Sequence, residues 1–250
     1  MNFKKIELKI KSFDNLTLNS YMYKQQVYSK KWIIIVHGYK CYSAFMESYV
    51  RNFYRLGFNI ITPDCRGHGA SEGKYIGMGW HDRLDVINFI NNIIHMDQQS
   101  EIALFGVSMG GASVLCASGE ALPENVKCII SDCSYSDAYK IAKSKIKKIN
   151  SLFVYPIAPI VNLISKIKHG YFLSDAKPIK QVKKSKTPIL IIHGDEDKLI
   201  PVKMAYDLYK ATGCEKDIFI AKGAGHGYSY IVDPIGYWKK IMEFTHKYIK

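Results

Sequence analysis

The 250-residue chain carries six cysteines, Cys41, Cys65, Cys116, Cys128, Cys133 and Cys214, but no Cys-x-x-Cys pair. Without dense spacing in a chain of this length they read as free thiols, which sets a cytoplasmic location as the expectation. There is no His-Glu-x-x-His and no paired Cys/His spacing, so no metal is expected. The Gly-x-Gly-x-x-Gly fingerprint is missing too, and with it the case for a nucleotide cofactor. The apolar segment Leu152–Ile164 is interrupted by Pro156 and Pro159 and falls short of the roughly 18 residues that a membrane-spanning helix needs. The first residues do not read as a secretory signal, because Ile6, Leu8 and Ile10 alternate with Glu7, Lys9 and Lys11 in the manner of a strand. Acidic residues are scarce in one region. Between Ser134 and Thr187 twelve lysines face only Asp137 and Asp175, so this segment holds +10 of the net +13. No nucleic-acid motif accompanies these lysines, and nucleic acid is not read as a partner. They fit a solvated surface, with an anionic membrane surface or an acidic substrate as the competing reading.

What is present is a repeating alternation. Ile6–Ile10 and Leu16–Tyr23, separated by the turn-like Phe13-Asp14-Asn15, suit an antiparallel hairpin at a sheet edge. Six short apolar runs follow: Trp32–Val36, Asn59–Thr62, Ile102–Phe105, Cys128–Ser131, Ile189–Ile192 and Ile218–Ala221. Such runs suit strands of a parallel sheet covered on both faces. Helical spacing lies between them in Phe45–Leu56, His81–Ile94, Pro201–Thr212 and Pro234–Ile249. The pattern predicts an α/β fold, a mostly parallel doubly wound sheet with an N-terminal antiparallel hairpin. Ser134–Thr187 is far longer than one βα crossover requires and holds two helical stretches. It is expected to form an inserted helical cap (134–187) over a core made of residues 1–133 and 188–250.

Gly106-Val107-Ser108-Met109-Gly110-Gly111 sits between an apolar strand and the small-residue helix Ala112–Ser118. A serine on such a strand-to-helix turn is exposed and strained, and the helix start aims amide groups at an anion formed beside it. A serine needs a base, and the base needs an acid to orient it. His226, in Gly223-Ala224-Gly225-His226-Gly227, follows the last strand and is the expected base, with His37, His68 and His193 as competitors. Asp197, in His193-Gly194-Asp195-Glu196-Asp197, is the expected acid, against Asp132, Asp195 and Glu196. The backbone N–H groups of Met109 and of Tyr39, in His37-Gly38-Tyr39, would form an oxyanion hole.

The set VHGY, PDCRGHGAS, GVSMGG, HGDEDKLIP and GAGHG resembles that of the α/β-hydrolase family. It is similar in particular to small, single-domain bacterial members related to the esterase and prolyl-oligopeptidase branches. The resemblance runs from about residue 16 to the C-terminus, the cap excepted. It implies that Asp64, Arg66 and His68 brace the loops beneath the site. The expected activity is hydrolysis of a small or medium carboxylic ester through an acyl-enzyme, with the apolar Leu152–Ile164 segment lining the acyl pocket or touching a membrane. Three other readings compete: a peptidase of prolyl-oligopeptidase type, a thioesterase or acyltransferase, and a non-catalytic binding module.

Overall fold

The computed structural model describes residues 4–149 and 151–250. Met1–Phe3 of the N-terminal alternating stretch and the Phe153 side chain of the apolar segment lie outside the described residues. The first hairpin is β1 (Lys5–Lys11) and β2 (Thr17–Tyr23), joined at Asn15, whose φ of 64° supplies the turn. A 3-10 turn (Ser43–Met46) after β3 (Lys31–Val36) leads into α1 (Glu47–Arg55). β4 (Asn59–Pro63), α2 (Asp82–Met96), β5 (Glu101–Val107), α3 (Met109–Ala117) and β6 (Val126–Asp132) continue the alternation. The segment after β6 forms α4 (Ala138–Ile149), α5 (Val154–His169) and the single turn α6 (Pro178–Gln181). β7 (Ile189–Gly194), α7 (Lys203–Ala211), β8 (Lys216–Ala221), the turn α8 (Ser229–Val232) and α9 (Pro234–Tyr248) complete the chain. Pro234 occupies the first turn of α9, where its missing N–H leaves no acceptor unpaired, and Asp233 caps Gly236 N–H at 2.8 Å.

Among the described residues the strands form one sheet in the order β1-β2-β4-β3-β5-β6-β7-β8, with β2 antiparallel to both neighbours and β4 to β8 parallel. Side chains alternate across it, as the pleat requires. Ile34, Ile61, Leu104, Ile129 and Ile191 pack one way, against Val86, Phe89 and Ile90 of α2, Val114 of α3 and Leu208 of α7. Ile33, Ile35, Ile60, Phe105, Ile130 and Ile192 pack the other way, against Val50 and Phe53 of α1 and Tyr237, Ile241 and Phe244 of α9. A third cluster, including Ala112, Tyr135, Ala138, Ile141, Leu173 and Ile200, joins α4 to the sheet's carboxyl edge. The chain leaves β3 for β4 on one side, then returns past β3 to β5 on the other. That reversal opens a crevice at the carboxyl ends of β3 and β5, where a doubly wound sheet binds ligands.

Candidate active site

Ser108 lies at that crevice, directly after β5, with φ 57° and ψ −114°. A non-glycine residue there costs on the order of 1–3 kcal/mol, and the surroundings hold it. Ser108 N–H donates to the Asp132 carbonyl at 2.8 Å, and the Ser108 carbonyl accepts from Ala112 N–H at 3.0 Å. A methyl group at Gly110 would collide with the Val36 carbonyl, so only glycine lets α3 start this close to β3. Met109 is in the first turn of α3, where the N–H has no intrahelical acceptor. A side chain at Gly38 would stand 3.4 Å from Ser108 Cβ and 3.9 Å from its Oγ. The bare glycine leaves that space to a ligand, and Tyr39 follows it at the same cavity.

His226 Nε2 lies 2.9 Å from Ser108 Oγ, and its Nδ1 lies 2.7 Å from Asp197 Oδ2. The His226 loop is fastened to the loop after β7: Gly223 N–H donates to Asp195 Oδ1 at 2.6 Å and Glu196 N–H to the Ala224 carbonyl at 3.0 Å. Asp195 therefore braces this loop, while Asp197 faces the histidine. Asp197 Oδ1 accepts Leu199 N–H and Ile200 N–H, each at 2.8 Å. Its Oδ2 is shared between His226 and His193 Nε2, the latter at 3.2 Å. His193 Nε2 also faces the Ile200 carbonyl at 2.8 Å, and two acceptors on one nitrogen put the ring proton there. Burial raises the Asp197 pKa, but the donors from His193, His226 and Ile200 outweigh it and hold the carboxyl well below the ordinary range. Asp132 is different. Its Oδ2 accepts from Tyr237 OH at 2.9 Å, its Oδ1 has no partner, and burial pushes its pKa up to about 6.

The other histidines are committed elsewhere. His37 is buried: its Nε2 accepts Cys65 N–H at 2.9 Å, its Nδ1 sits 2.8 Å from the Gly38 carbonyl, and burial lowers its pKa to about 4. His68 Nε2 accepts Lys40 N–H at 3.1 Å and packs edge-on against His37, which ties the loop after β4 to the loop after β3. Asp64 supports the same junction by accepting Ser43 N–H at 2.8 Å and Ala70 N–H at 3.0 Å. Burial raises the Asp64 pKa, yet these backbone donors bring it below the usual value. Arg66 is wholly buried. It forks onto both oxygens of Asp85 at 2.8 Å and reaches Asp14 at 2.9 Å, so it pins α2 and the first hairpin turn to one loop. Burial disfavours its charge, but the hydrogen bonds to Asp85 and Asp14 raise its pKa further than burial lowers it.

A cavity of about 210 Å³ opens onto Ser108. Its apolar wall includes Met78, Tyr135, Ile141, Ala142, Leu173, Leu199 and Ile200, and Lys145 is the charged group among the described lining residues. Its helical wall is α4, which corrects the expectation that Leu152–Ile164 lines the pocket. None of that segment's described residues lines the cavity, because α5 packs behind α4. The roles of His193, Tyr237, Asp14 and Asp85 as partners were not foreseen in the sequence. The i,i+4 spacing of His193 and Asp197 was the available signal for the first, and nothing local signals the others.

Known proteins resemble this chain in sequence pattern and in fold. The sequence pattern of the family described as "Serine aminopeptidase, S33" matches residues 28–175, more than half of the chain, and that of the dienelactone hydrolase family matches 163–247. The chain is 28% identical to the uncharacterized protein YqkD of Bacillus subtilis over 85% of this chain and 70% of that one. It is 25% identical to the monoglyceride lipase homolog of monkeypox virus, over 83% of this chain and 87% of the relative. In fold it is similar to the esterase Pf2001 of Pyrococcus furiosus, with a TM-score of 0.81 at 20% identity over 99% of this chain and 94% of that one. The chain belongs to the α/β-hydrolases, in the family described as serine aminopeptidase, S33.

Proposed function

We propose that the protein is a serine hydrolase that cleaves small to medium carboxylic esters, with Ser108 as nucleophile, His226 as general base and Asp197 as the orienting acid. The observation that carries this is the continuous relay Ser108 Oγ to His226 Nε2 (2.9 Å) and His226 Nδ1 to Asp197 Oδ2 (2.7 Å), opening on an apolar cavity. The Ser108 proton passes to His226 as Oγ attacks the ester carbonyl. The oxyanion is received by the Met109 and Tyr39 N–H groups, and Asp197, ionised throughout, stabilises the imidazolium. His226 then protonates the departing alcohol. Water attacks the acyl-enzyme by the same route in reverse and releases the acid. In this reading residues 134–187 form a cap whose α4 walls the acyl pocket, and Asp64, Arg66 and His68 brace the loops.

An aminopeptidase must bind a free ammonium group, and a carboxylate is the usual partner for one. The described lining residues include no Asp or Glu, and their one charge is the cation Lys145, which favours the ester over the peptide. Labelling with a fluorophosphonate probe, with Ser108→Ala as control, tests the nucleophile and the non-catalytic alternative together. Turnover of a panel comprising p-nitrophenyl esters of graded acyl length, an acyl-CoA and a prolyl amide tests the substrate class. Preferred cleavage of the amide or of the thioester would overturn the assignment to carboxylic esters.

A further inference from the structure

In a helix on the surface of a globular protein the apolar stripe faces inward. In α5 a second apolar stripe, besides the inward side that holds Ala158 and Val161, faces outward. Ala158 and Ser165 are the helix's buried residues, and at 3.6 residues per turn they mark the side toward the core. The opposite side carries Ile160, Leu163, Ile164 and Ile167, all exposed, the last at 75%. Ile149 at the end of α4 and Tyr155 at the start of α5 are further exposed apolar side chains of these two helices, at 86% and 87% exposure. Contiguous large apolar groups in water mark a surface that something covers. The patch belongs to neither the Ser108 cavity nor any described core cluster.

Its charges select the occupant. Between Ala138 and Ser174 there are seven lysines and no Asp or Glu. Lys166 and Lys168 fall on either flank of the α5 stripe, and Lys147 and Lys148 lie exposed at the end of α4. A second copy of the chain docking face to face would set these lysines against their own equivalents. A bilayer with anionic headgroups satisfies both halves of the surface, taking apolar side chains into the acyl boundary and lysines into the headgroup layer. We infer that the α4–α5 face is a docking surface for an anionic phospholipid membrane. No described helix is long and apolar enough to cross a membrane, so the contact is peripheral. Because α4 also supplies Ile141, Ala142 and Lys145 to the cavity, docking brings the cavity mouth to the lipid. That consequence, unlike the docking itself, rests on the proposed ester hydrolysis.

The test is co-sedimentation of the full chain with vesicles of pure phosphatidylcholine and of equimolar phosphatidylcholine and phosphatidylglycerol. Two variants accompany it: Ile160→Glu/Leu163→Glu/Ile167→Glu, and Lys147, Lys148, Lys166 and Lys168 together changed to Gln. The wild type should sediment with the phosphatidylglycerol vesicles and not with the neutral ones. Binding should weaken as salt rises, since the screening length shrinks from about 10 Å at 0.1 M to about 3 Å at 1 M. Each variant should bind phosphatidylglycerol vesicles at least about tenfold more weakly, with turnover of a water-soluble ester unchanged. Equal partition onto both vesicles, or wild-type binding by the triple glutamate variant, would overturn the inference. So would a dimer that the triple variant dissolves, which would assign the face to a second copy. Ser108→Ala protein should sediment like the wild type. Vesicle binding by a wild type that turns over no ester would therefore refute the catalytic reading alone.

Discussion

Asp197→Asn isolates the acid, and its effect can be worked out atom by atom. The carboxylate accepts three hydrogen bonds, Leu199 and Ile200 N–H on Oδ1 and His226 on Oδ2, and His193 Nε2 lies 3.2 Å from Oδ2. An asparagine keeps the first pair if its oxygen takes the Oδ1 place. Its NH2 then meets two ring nitrogens that both need an acceptor. His193 still has the Ile200 carbonyl at 2.8 Å, so its loss is partial. His226 has no such substitute and must move its proton to Nε2, the nitrogen facing Ser108 Oγ. A protonated Nε2 cannot take the serine proton. The expected loss in kcat is about 10⁴-fold, or about 5.5 kcal/mol of transition-state stabilisation, while the fold loses only about 1.5–3 kcal/mol for the charge-assisted bonds. The stability difference depends on pH with a definite sign. The folded pKa of Asp197 is depressed, so its contribution is complete above the ordinary carboxylate value of about 3.9 and fades as pH falls through the lower folded value. Wild type and variant should thus differ in melting temperature by a constant amount above about pH 4 and begin to converge below it. Steady-state hydrolysis of a p-nitrophenyl ester and thermal melts from about pH 3 to 8 measure both. Near-normal turnover in Asp197→Asn, with collapse in Asp132→Asn, would refute the assignment and move the acid to β6.

Ser108→Ala should lower kcat on the order of 10⁶-fold, and Ser108→Gly should be as inactive but melt higher, because only glycine occupies φ 57° without strain. Retention of a tenth of the activity by either would remove Ser108 from the mechanism. Asp132 has its folded pKa raised by burial to about 6, so it weakens the fold as pH climbs from about 4 through 6. Asp132→Asn should abolish that trend, gaining on wild type by about 3 kcal/mol between pH 4 and 8 in denaturant titrations, and parallel curves would refute the buried-charge account. Ile141→Trp should fill the cavity beside Ser108 and shift preference toward short acyl chains. An unchanged acyl-length profile would place the acyl group elsewhere.

The middle of the sheet was legible because its central strands are buried on both faces, which leaves continuous apolar runs such as Trp32–Val36 and Ile189–Ile192 with little else to be. The grouping of Ser108, Asp197 and His226 was legible because each follows the carboxyl end of its own strand within a glycine-marked turn. What escaped were contacts between segments far apart in the chain. Nothing near Arg66 announces Asp14, 52 residues earlier, and nothing near Asp132 announces Tyr237, 105 residues later. The pocket wall was misassigned for a related reason. Apolar content alone made Leu152–Ile164 look like a lining, whereas the lysine-rich α4 presents Ile141, Ala142 and Lys145 to the cavity. Apolar composition does not say which way a helix faces. Only its packing partners do.

Apart from Asn15 in the first hairpin turn, the positive-φ non-glycine residues among the described residues share a location, and the location makes physical sense. Lys40, Ser108 and Cys133, with φ of 58°, 57° and 47°, each follow the carboxyl end of a parallel strand, β3, β5 and β6. Met78, at φ 48°, lines the same cavity as Ser108. At on the order of 1–3 kcal/mol each, four such residues would remove much of a small domain's net stability of about 5–15 kcal/mol if nothing opposed them. Opposition comes from the sheet, whose strands pack on both faces into separate apolar clusters, and from local ties such as Ser108 N–H to the Asp132 carbonyl and Cys133 N–H to the Ile192 carbonyl. A parallel sheet ends in a row of backbone groups that further strand pairing cannot satisfy. Turns that break away sharply there bring N–H groups and side chains from neighbouring strands to one point. The same geometry that strains Ser108 exposes its Oγ and brings it within 2.9 Å of His226. Relaxing it in Ser108→Gly should therefore raise stability at the one position where stability and nucleophile compete.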